Sequence, residues 1–320
     1  MKKLFLIAVV LFCCVFAFSA CANNETTDEP NNNEQVNSEN DNEAVDTVAF
    51  TGEYVVDLEY VKNAVGQEDV IFLDARGPEA AASGTIQGAI AMIWQQLADV
   101  ANGQSGDAMW GTILPADQLS EVLSANGLDM NKEIIIFSNA QDGWGDDGRI
   151  LWTLLAAGYE NVKMVNGGYE YLAENGVPTQ NGASEPVPCE VTVTAINEDH
   201  LINTDDLAAN YDNYVVVDVR ADEEYNGQTL YGEVKGGHLP GAIHIRYTDL
   251  FRDDTTLKSN DEIIAMFTEA GISTDDTIVT YCTAGIRSAY MQLILEMCGF
   301  ENTLNYDESY YRWCAVNEVE

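Results

Sequence analysis

Basic residues are scarce in this chain. Its 320 residues include 14 lysines and arginines against 53 aspartates and glutamates, for a formal net charge of −39 at pH 7. Nucleic-acid binding needs a basic face, so this balance excludes nucleic acid as a partner and is typical of a solvated extracellular surface. An anion site on so acidic a protein would need a local basic cluster. Five of the seven arginines do lie in the second half: Arg220, Arg246, Arg252, Arg287 and Arg312.

The sequence also lacks the residue spacings of a metal site. It has seven cysteines, but no CxxC pair and no Cys/His spacing of the kind that binds zinc. We therefore predict neither a metal nor an organic cofactor. In an exported protein Cys298 could pair with Cys314, and the sequence leaves this open.

The apolar run at the N-terminus is too short to cross a bilayer. Residues 4–18 are apolar, whereas a spanning helix needs roughly 20 such residues. Lys2 and Lys3 precede the run and small residues follow it, which is typical of a secretory signal. Its end, Phe18-Ser19-Ala20-Cys21, resembles a bacterial lipobox, although Phe stands where that pattern usually has Leu. An ordinary cleaved signal that happens to contain Cys21 is the alternative.

The composition of the chain changes after residue 20 and again after residue 47. Residues 1–20 form the predicted lipoprotein signal, and the polar residues 21–47 cannot bury enough surface to fold, so we predict a disordered acidic tether. Acylation at Cys21 would make the protein extracytoplasmic and lipid-anchored to the cell membrane. The remainder is too long for one core and suits two domains. The first domain, the linker and the second domain are predicted at residues 48–183, 184–199 and 200–320.

The folded part consists of two copies of one α/β unit. Residues 70–76 and 215–220 are both short apolar runs that end in Asp-x-Arg, as buried parallel strands do. Residues 158–161 and 299–302 also match, and the match continues without a gap to Tyr169 and Tyr310. Strands alternate with helices, which predicts an α/β fold with a parallel sheet in each domain, flanked by helices on both faces. A further strand and helix in each copy are predicted at residues 133–137 and 150–157, and at 277–281 and 288–297.

Four segments of the second copy carry a family resemblance: Asp218-Val219-Arg220, Lys235–Ala242, the loop after Cys282, and Tyr306–Tyr310 with Trp313. Together they resemble the tandem rhodanese family, the thiosulfate and 3-mercaptopyruvate sulfurtransferases. The resemblance covers residues from about 50 to 320. It implies two rhodanese-like domains, of which the second carries a persulfide-forming cysteine and the first helps to wall its pocket.

The decisive segment is residues 278–288. A strand ends, Cys282 follows at once, a short glycine-containing loop turns, and a helix begins. Ligands of open α/β sheets bind at the carboxyl ends of strands. Loop amides, the helix N-terminus and Arg287 would all lower the pKa of a thiol there and stabilise a persulfide. This is covalent catalysis with sulfur as the transferred group. A buried, unreactive cysteine is the alternative.

We therefore predict Cys282 and Arg287 as catalytic residues. Arg287 lies five positions after Cys282, whereas rhodanese-like phosphatases and arsenate reductases have a loop one residue longer, so the spacing favours sulfur over an oxyanion. Arg246 could equally be solvated. The residues predicted to bind substrate are Thr283, Ala284, Gly285, Ile286, Ser288, Arg220 and Arg246.

The first copy provides an internal comparison. Ser138 occupies the place of Cys282, and the loop after it is longer and acidic. We therefore predict that the first domain is catalytically silent. Arg149 does not align with Arg287.

The same comparison separates structural residues from reactive ones. Asp-x-Arg occurs in both copies, so a structural salt bridge is the simpler role for Asp218 and Arg220. His238 has Thr85 as its counterpart, and the family resemblance implies a structural hydrogen bond for it rather than proton transfer. We interpret acidic pairs such as Glu223-Glu224 as solvated surface or helix caps.

These observations predict a sulfurtransferase. A small sulfur-containing anion, such as thiosulfate or 3-mercaptopyruvate, would donate its sulfur to Cys282, and a thiol or cyanide would accept it. The donor stays open. Thiosulfate-using relatives carry two basic residues where Thr283 and Ala284 stand, and mercaptopyruvate-using relatives carry Gly-Ser-Gly-Val-Thr after the cysteine. The latter also carry an arginine where Glu224 or Asn226 stands.

Two other classes of function remain. One is a non-catalytic surface-binding lipoprotein on the same fold. The other is a thiol redox or sulfur sensor in which Cys282 pairs with Cys298 or Cys314.

Overall fold

A computed structural model describes residues 48–320. The predicted signal peptide, the lipidation site Cys21 and the acidic tether lie outside the described residues. Within residues 48–320, no helix is both long and apolar enough to span a membrane. The two sequence copies fold into two five-stranded sheets, and both belong to one compact unit.

The first copy forms a parallel sheet with the strand order β1-β6-β5-β2-β4. A separate antiparallel pair, β3 with β7, lies beside it. The strands of the first copy are β1 (Val55–Val56), β2 (Val70–Asp74), β3 (Thr85–Ile86), β4 (Ile90–Ala91), β5 (Glu133–Phe137), β6 (Val162–Val165) and β7 (Thr179–Gln180). Its helices are α1 (Leu58–Ala64), α2 (Gly77–Ala81), α3 (Ala116–Ala125), α4 (Asp146–Ala156) and α5 (Gly168–Glu174).

The second copy repeats this sheet with the order β10-β9-β11-β12-β8, again parallel throughout. Its strands are β8 (Leu201–Ile202), β9 (Val215–Asp218), β10 (Ile243–His244), β11 (Thr277–Tyr281) and β12 (Asn302–Tyr306). Its helices are α6 (Thr204–Ala209), α7 (Asp222–Tyr225), α8 (Asn260–Glu269), α9 (Ile286–Met297) and α10 (Ser309–Val316).

The central strands are mostly apolar because helices cover both faces of each sheet. Side chains alternate between the two faces of a sheet along a strand. Residues that are adjacent in sequence therefore pack into different hydrophobic clusters, one on each face. In β2, Leu73 packs into the large central core and Phe72 into a cluster on the opposite face. In β9, Val217 and Val216 divide in the same way. The predicted fold class is confirmed.

The inner faces of the two sheets share one core. The central cluster contains side chains from both copies, and α4 packs against α9 across the junction. This approach is close: a Cβ atom on Gly148 would lie 2.4 Å from the Tyr290 ring. The first domain therefore forms part of the support for α9, the helix that follows Cys282.

Residues 184–199 contain no helix or strand, yet they are bound to α3. The backbone amide of Cys189 donates to the carbonyl of Ser124. The amide of Val191 donates to the Ser124 hydroxyl and that of Val193 to the Ser120 hydroxyl. Val191 and Val193 are buried. The segment that connects the domains is therefore packed against the first domain along part of its length.

Candidate active site

Cys282 lies at the carboxyl end of β11, the central strand of the second sheet. The strand ends at Tyr281, and α9 begins at Ile286. Gly285 has a φ of +83°, a left-handed conformation that glycine adopts without strain. It turns the short loop into the helix, so that the thiol lies beside the first amides of α9.

The Cys282 thiol is buried and polarised. Its side chain is 1% exposed, and the Ser288 hydroxyl lies 3.8 Å from its sulfur. Burial acts to raise the pKa of Cys282, but the charge of Arg287 and hydrogen bonds from the amides of Ser288 and Ala284 outweigh it. The pKa of the thiol is therefore lowered from its ordinary value, which favours the thiolate.

Arg287 is held by a carboxylate. Its Nη1 and Nη2 donate to the two oxygens of Glu224 at 2.7 and 2.8 Å. Thr283 accepts a further bond from Arg287 Nη2 and donates its own hydroxyl to Glu224. Burial acts to raise the pKa of Glu224, and the bonds from Arg287 and Thr283 reverse this and lower it. Arg287 and Glu224 are therefore both charged, and the net charge of this ion pair is zero.

The backbone of the Cys282 loop is fixed by the start of α10. The amide of Cys282 donates to the Ser309 hydroxyl at 2.9 Å. The carbonyls of Cys282 and Thr283 accept from the amides of Tyr310 and Tyr311. Ser309 has a φ of +54°, a strained conformation for a residue other than glycine. The strained residue is thus the one whose hydroxyl accepts from the amide of Cys282.

The first domain also contacts this loop. Arg149, on α4, donates to the carbonyl of Gly285 at 3.1 Å and to the carboxylate of Asp307 at 2.5 Å. Its Nη2 donates to the carbonyl of Gly111. The Arg149 side chain is 1% exposed, so this is a buried ion pair between the domains.

A cavity of about 270 Å³ opens beside Cys282. The loop contributes Thr283, Ala284, Ile286 and Arg287. Five aromatic side chains line most of the rest, together with Gln95 and Ser105; three come from the first domain and two from the second: Trp94, Trp110, Trp144, Tyr231 and Tyr311. Mostly apolar walls with a few polar groups are typical of a site for a small organic molecule.

Comparison with known families fits this geometry. The family described as rhodanese-like domain matches residues 57–175 and 203–316, one match in each copy and together more than half of the chain. The chain belongs to the rhodanese-like domain family. Each matched segment contains four of the five strands of one parallel sheet and begins directly after its edge strand, β1 or β8.

Named relatives match this chain over more than half of its length. The chain is 28% identical over 234 residues to a putative thiosulfate sulfurtransferase of Haloferax volcanii, covering 71% of this chain and 79% of that one. It is 23% identical over 202 residues to the 3-mercaptopyruvate sulfurtransferase of Mus musculus, covering 62% and 68%. A solved structure of EanB in complex with ergothioneine superposes with a TM-score of 0.73 at 19% identity, covering 83% of this chain and 69% of that chain. At that identity the likeness concerns the fold.

The structure brings most of the predicted site residues of this rhodanese-like chain together. Thr283, Ala284 and Ile286 line the cavity with Cys282 and Arg287. Gly285 and Ser288 do not line the cavity. Gly285 shapes the loop, and the Ser288 hydroxyl lies near the sulfur while it donates to Asn305.

Two predicted substrate-binding arginines are not brought to Cys282. The Arg220 side chain is fully buried, bonded to Asp218 and to the carbonyl of Gly237. Arg246 lies in an adjoining cleft of about 410 Å³ and pairs with Asp222 and Asp249. Neither lines the cavity that contains the thiol. Both line the adjoining cleft, because Asp218 holds Arg220, and Asp222 and Asp249 hold Arg246, on that side.

The structural role inferred for Asp-x-Arg agrees with the geometry. The Arg220 guanidinium lies 4.0 Å from the centre of the Tyr310 ring, and Arg76 lies 3.7 Å from Tyr169 in the first copy. Each arginine also bonds its own aspartate and a glycine carbonyl. His238 stacks on Tyr225 and contacts its carbonyl, which is a structural position.

Several residues that contact the Cys282 loop or line its cavity were not predicted from the sequence. We interpreted Glu224 as surface or cap; it does cap α7, but it is fully buried and is the partner of Arg287. Its placement in the segment after Asp-x-Arg was the available signal. Arg149 and the aromatic residues of the first domain gave no local signal, since only tertiary packing brings them to the Cys282 loop.

The remaining cysteines are free. Cys189, Cys298 and Cys314 are thiols in the described part of the chain, as is Cys282, so the Cys298–Cys314 disulfide that the sequence left open is not formed. Within residues 48–320 no group of three or more His, Cys, Asp or Glu side chains could hold a metal ion.

Proposed function

We propose that this protein is a sulfurtransferase that carries sulfane sulfur as a persulfide on Cys282. The single observation that supports this best is the environment of the thiol, whose pKa is lowered by Arg287 and by amides of its own loop. The names of the relatives, thiosulfate and 3-mercaptopyruvate sulfurtransferase, point to the same chemistry.

The first half-reaction loads the cysteine. The Cys282 thiolate attacks the outer sulfur of the donor, an S–S bond forms, and the donor's bond to that sulfur breaks. With thiosulfate the leaving group is sulfite. With 3-mercaptopyruvate it is pyruvate, which takes the proton released from the donor thiol. The loop amides and Arg287 stabilise the charge of the persulfide.

The second half-reaction returns the enzyme to its starting state. A nucleophilic acceptor attacks the outer sulfur, and the electron pair of the broken S–S bond returns to Cys282 as thiolate. Cyanide leaves as thiocyanate and a thiol leaves as a hydropersulfide. Both half-reactions balance without an oxidant, and we expect no cofactor to take part.

Intact mass spectrometry tests the proposal. After incubation with thiosulfate or 3-mercaptopyruvate, we expect a gain of one sulfur atom, about 32 Da, that cyanide removes and that the Cys282→Ser variant lacks. The matched control is Cys314→Ser, which changes another buried thiol and should load normally. No gain from either donor, with Cys282 shown to be free, would refute both activities.

A sensor in which Cys282 and Cys298 form a disulfide is poorly supported. The 12 residues of α9 lie between the two cysteines. At about 1.5 Å of rise per residue, this helix separates Cys282 from Cys298 by roughly 18 Å. A disulfide requires Cα atoms within about 7 Å. Pairing would require α9 to unfold.

We also propose that the protein is held at the outer side of the cell membrane by lipid on Cys21, as the lipobox-like sequence indicates. The Cys21→Ser variant should be absent from the membrane fraction and should not incorporate labelled palmitate. Unchanged membrane association of this variant would contradict the anchor.

A further inference from the structure

Two hydroxyl groups, one from each domain, form a hydrogen-bonded pair in the wall of the Cys282 cavity. The side-chain oxygens of Ser105, in the first domain, and Tyr311, on α10, lie 2.7 Å apart. Both residues line the cavity that contains Cys282. Tyr311 is 2% exposed, whereas Ser105 is exposed to solvent. The pair therefore makes a hydrogen-bonded path from solvent to a buried hydroxyl beside the thiol.

The hydrogen bonds of this pair allow one proton to be given to a ligand. Each hydroxyl has a single proton, and each lies within hydrogen-bond distance of the carbonyl of Tyr231, at 3.1 Å from Ser105 and 2.9 Å from Tyr311. When Ser105 donates to this carbonyl, the buried oxygen keeps a partner. The Tyr311 proton is then available to a molecule bound in the cavity.

The Tyr311 hydroxyl is protonated when the Cys282 thiol is ionised. Burial raises the pKa of Tyr311 to about 12, and the charge of Cys282 contributes to the rise. The pKa of Cys282 itself is lowered from its ordinary value. The cavity wall therefore holds a nucleophile and a proton donor in the states that each needs at the same pH.

The two candidate donors differ in whether their leaving group needs a proton. Sulfite leaves thiosulfate as a stable anion. The carbon of 3-mercaptopyruvate leaves with the electron pair of the C–S bond as the enolate of pyruvate, a much stronger base. A hydrogen-bond donor in the cavity wall stabilises the charge that develops on the enolate oxygen and has no equivalent task with thiosulfate.

We propose that Tyr311 gives a proton to the carbon leaving group of a thiol donor of the 3-mercaptopyruvate type, and that Ser105 restores this proton from solvent. The role rests on the function proposed above. The Cys282 thiolate bonds to the donor sulfur, the C–S bond breaks, and the enolate takes the Tyr311 proton. The Tyr311 phenolate takes a proton from Ser105, which takes one from water, and the persulfide releases the proton of the donor thiol to water. The two sulfur atoms are oxidised as the donor carbon is reduced, so no other oxidant or reductant takes part.

Loading of one variant by the two donors tests this role. Tyr311→Phe keeps the ring that packs against Trp110 and removes only the hydroxyl. In single-turnover loading of the full-length protein, followed by intact mass after quenching, loading from 3-mercaptopyruvate should slow by about 100-fold, as for loss of a positioned acid. Loading from thiosulfate should change little, which also shows that the variant is folded. An equal loss with both donors, or no loss with 3-mercaptopyruvate, would overturn the proposal.

A solvent isotope effect distinguishes proton transfer from support of the loop. Loading of the wild-type protein from 3-mercaptopyruvate, measured where the rate does not vary with pH, should be slower in heavy water than in water. Loading from thiosulfate should not be. Ser105→Ala should slow loading from 3-mercaptopyruvate less than Tyr311→Phe does, with the same selectivity between donors. Equal isotope effects with the two donors would contradict proton donation.

Two further Tyr→Phe changes locate the effect. Tyr211 donates its hydroxyl to the carbonyl of Pro240 and does not line the cavity, so Tyr211→Phe should leave loading from both donors unchanged. Tyr231→Phe removes another tyrosine hydroxyl of the cavity wall. A selective loss with 3-mercaptopyruvate for Tyr231→Phe and not for Tyr311→Phe would overturn the assignment to Tyr311.

The role of Tyr311 and the proposed function fail differently. A persulfide that forms from thiosulfate but not from 3-mercaptopyruvate refutes the role of Tyr311 and leaves the sulfurtransferase standing. If neither donor loads Cys282 of the wild-type protein, both proposals are wrong.

Discussion

Arg149 in the first domain donates a hydrogen bond to the carbonyl of Gly285 in the Cys282 loop, at 3.1 Å. The same guanidinium pairs with Asp307, whose other oxygen accepts from the amide of Ile113 in the first domain. The first domain, which has Ser138 in the place of Cys282, therefore helps to hold the Cys282 loop. The two domains are therefore not independent copies of one fold, because the first contributes hydrogen bonds that position a loop of the second.

Arg149→Lys should slow loading of Cys282 more than it weakens donor binding. Lysine keeps the charge but cannot reach Gly285, Asp307 and Gly111 together, so the loop loses its fixed position. Misplacement of a reacting group by about 1 Å can cost about 100-fold in rate. Steady-state kinetics should show a fall in kcat with a smaller change in KM.

Arg76→Lys is the matched control for this change. Arg76 bonds Asp74 and the Gly84 carbonyl inside the first domain and has no contact with the Cys282 loop. Its replacement should lower the free energy of unfolding and leave kcat unchanged. Equal kcat values for the two variants would contradict a positioning role for Arg149.

Glu224→Gln should lower the pKa of Cys282 further. The amide retains an oxygen for Arg287 but carries no charge, so the positive field of Arg287 at the thiol is no longer offset. The pH profile of Cys282 alkylation by iodoacetamide should shift to lower pH. The profile of Arg287→Gln should shift to higher pH, and a common direction for both variants would contradict this account.

Much of the fold could be predicted because its signals are local. The runs that form β5 and β11 are mostly apolar, as is typical of strands buried on both faces, and their predicted bounds are the observed ones. The helices after them, α4 and α9, begin earlier than predicted. Their first turns contain Arg149 and Arg287, which the helical pattern of apolar residues did not include.

The site could be predicted only where its residues are close in sequence. Cys282 and Arg287 lie in one loop and the first turn of the next helix, so their spacing in the sequence was enough to predict that they lie together. Glu224 lies on a different helix, and as a glutamate among other acidic residues it resembled solvated surface. Trp144 lies in the corresponding loop of the first domain and reaches the site through the packing of two domains, which no local pattern encodes.

Gly285→Ala should damage the loop beyond the ordinary cost of a left-handed alanine, about 1–2 kcal/mol. A Cβ atom on Gly285 would lie 2.7 Å from the backbone oxygen of Asp307 and 2.9 Å from Arg149 Nη1. Gly271→Ala is the matched control, since its φ is +88° with nothing within 4 Å of the added atom. Urea unfolding should show a larger loss for Gly285→Ala. Similar losses, with normal loading of Cys282 in both, would show that the loop tolerates the change.

Asp147 should make stability depend on pH near neutrality. Its carboxyl is buried at the start of α4, near Asp146, Tyr247 and Tyr290. Burial raises its pKa to about 7, against about 3.9 in the unfolded chain. Well below pH 4 the carboxyl is neutral in both states and does not affect the free energy of unfolding. As the pH rises towards 7, the unfolded state gains a favourable ionisation that the folded state lacks, so the free energy of unfolding falls.

Asp147→Asn isolates this effect, because the amide keeps the oxygen that accepts from the Gly148 amide and does not titrate. Relative to the wild type, the variant should gain about 2–3 kcal/mol of stability between pH 5 and pH 8. Asp142→Asn, at an exposed position in the loop before α4, serves as the control for the loss of one charge. Urea unfolding at the two pH values measures the difference. A gain equal to that of Asp142→Asn would mean that Asp147 ionises freely in the folded protein, and the junction between α4 and α9 would then have to admit water to its carboxylate.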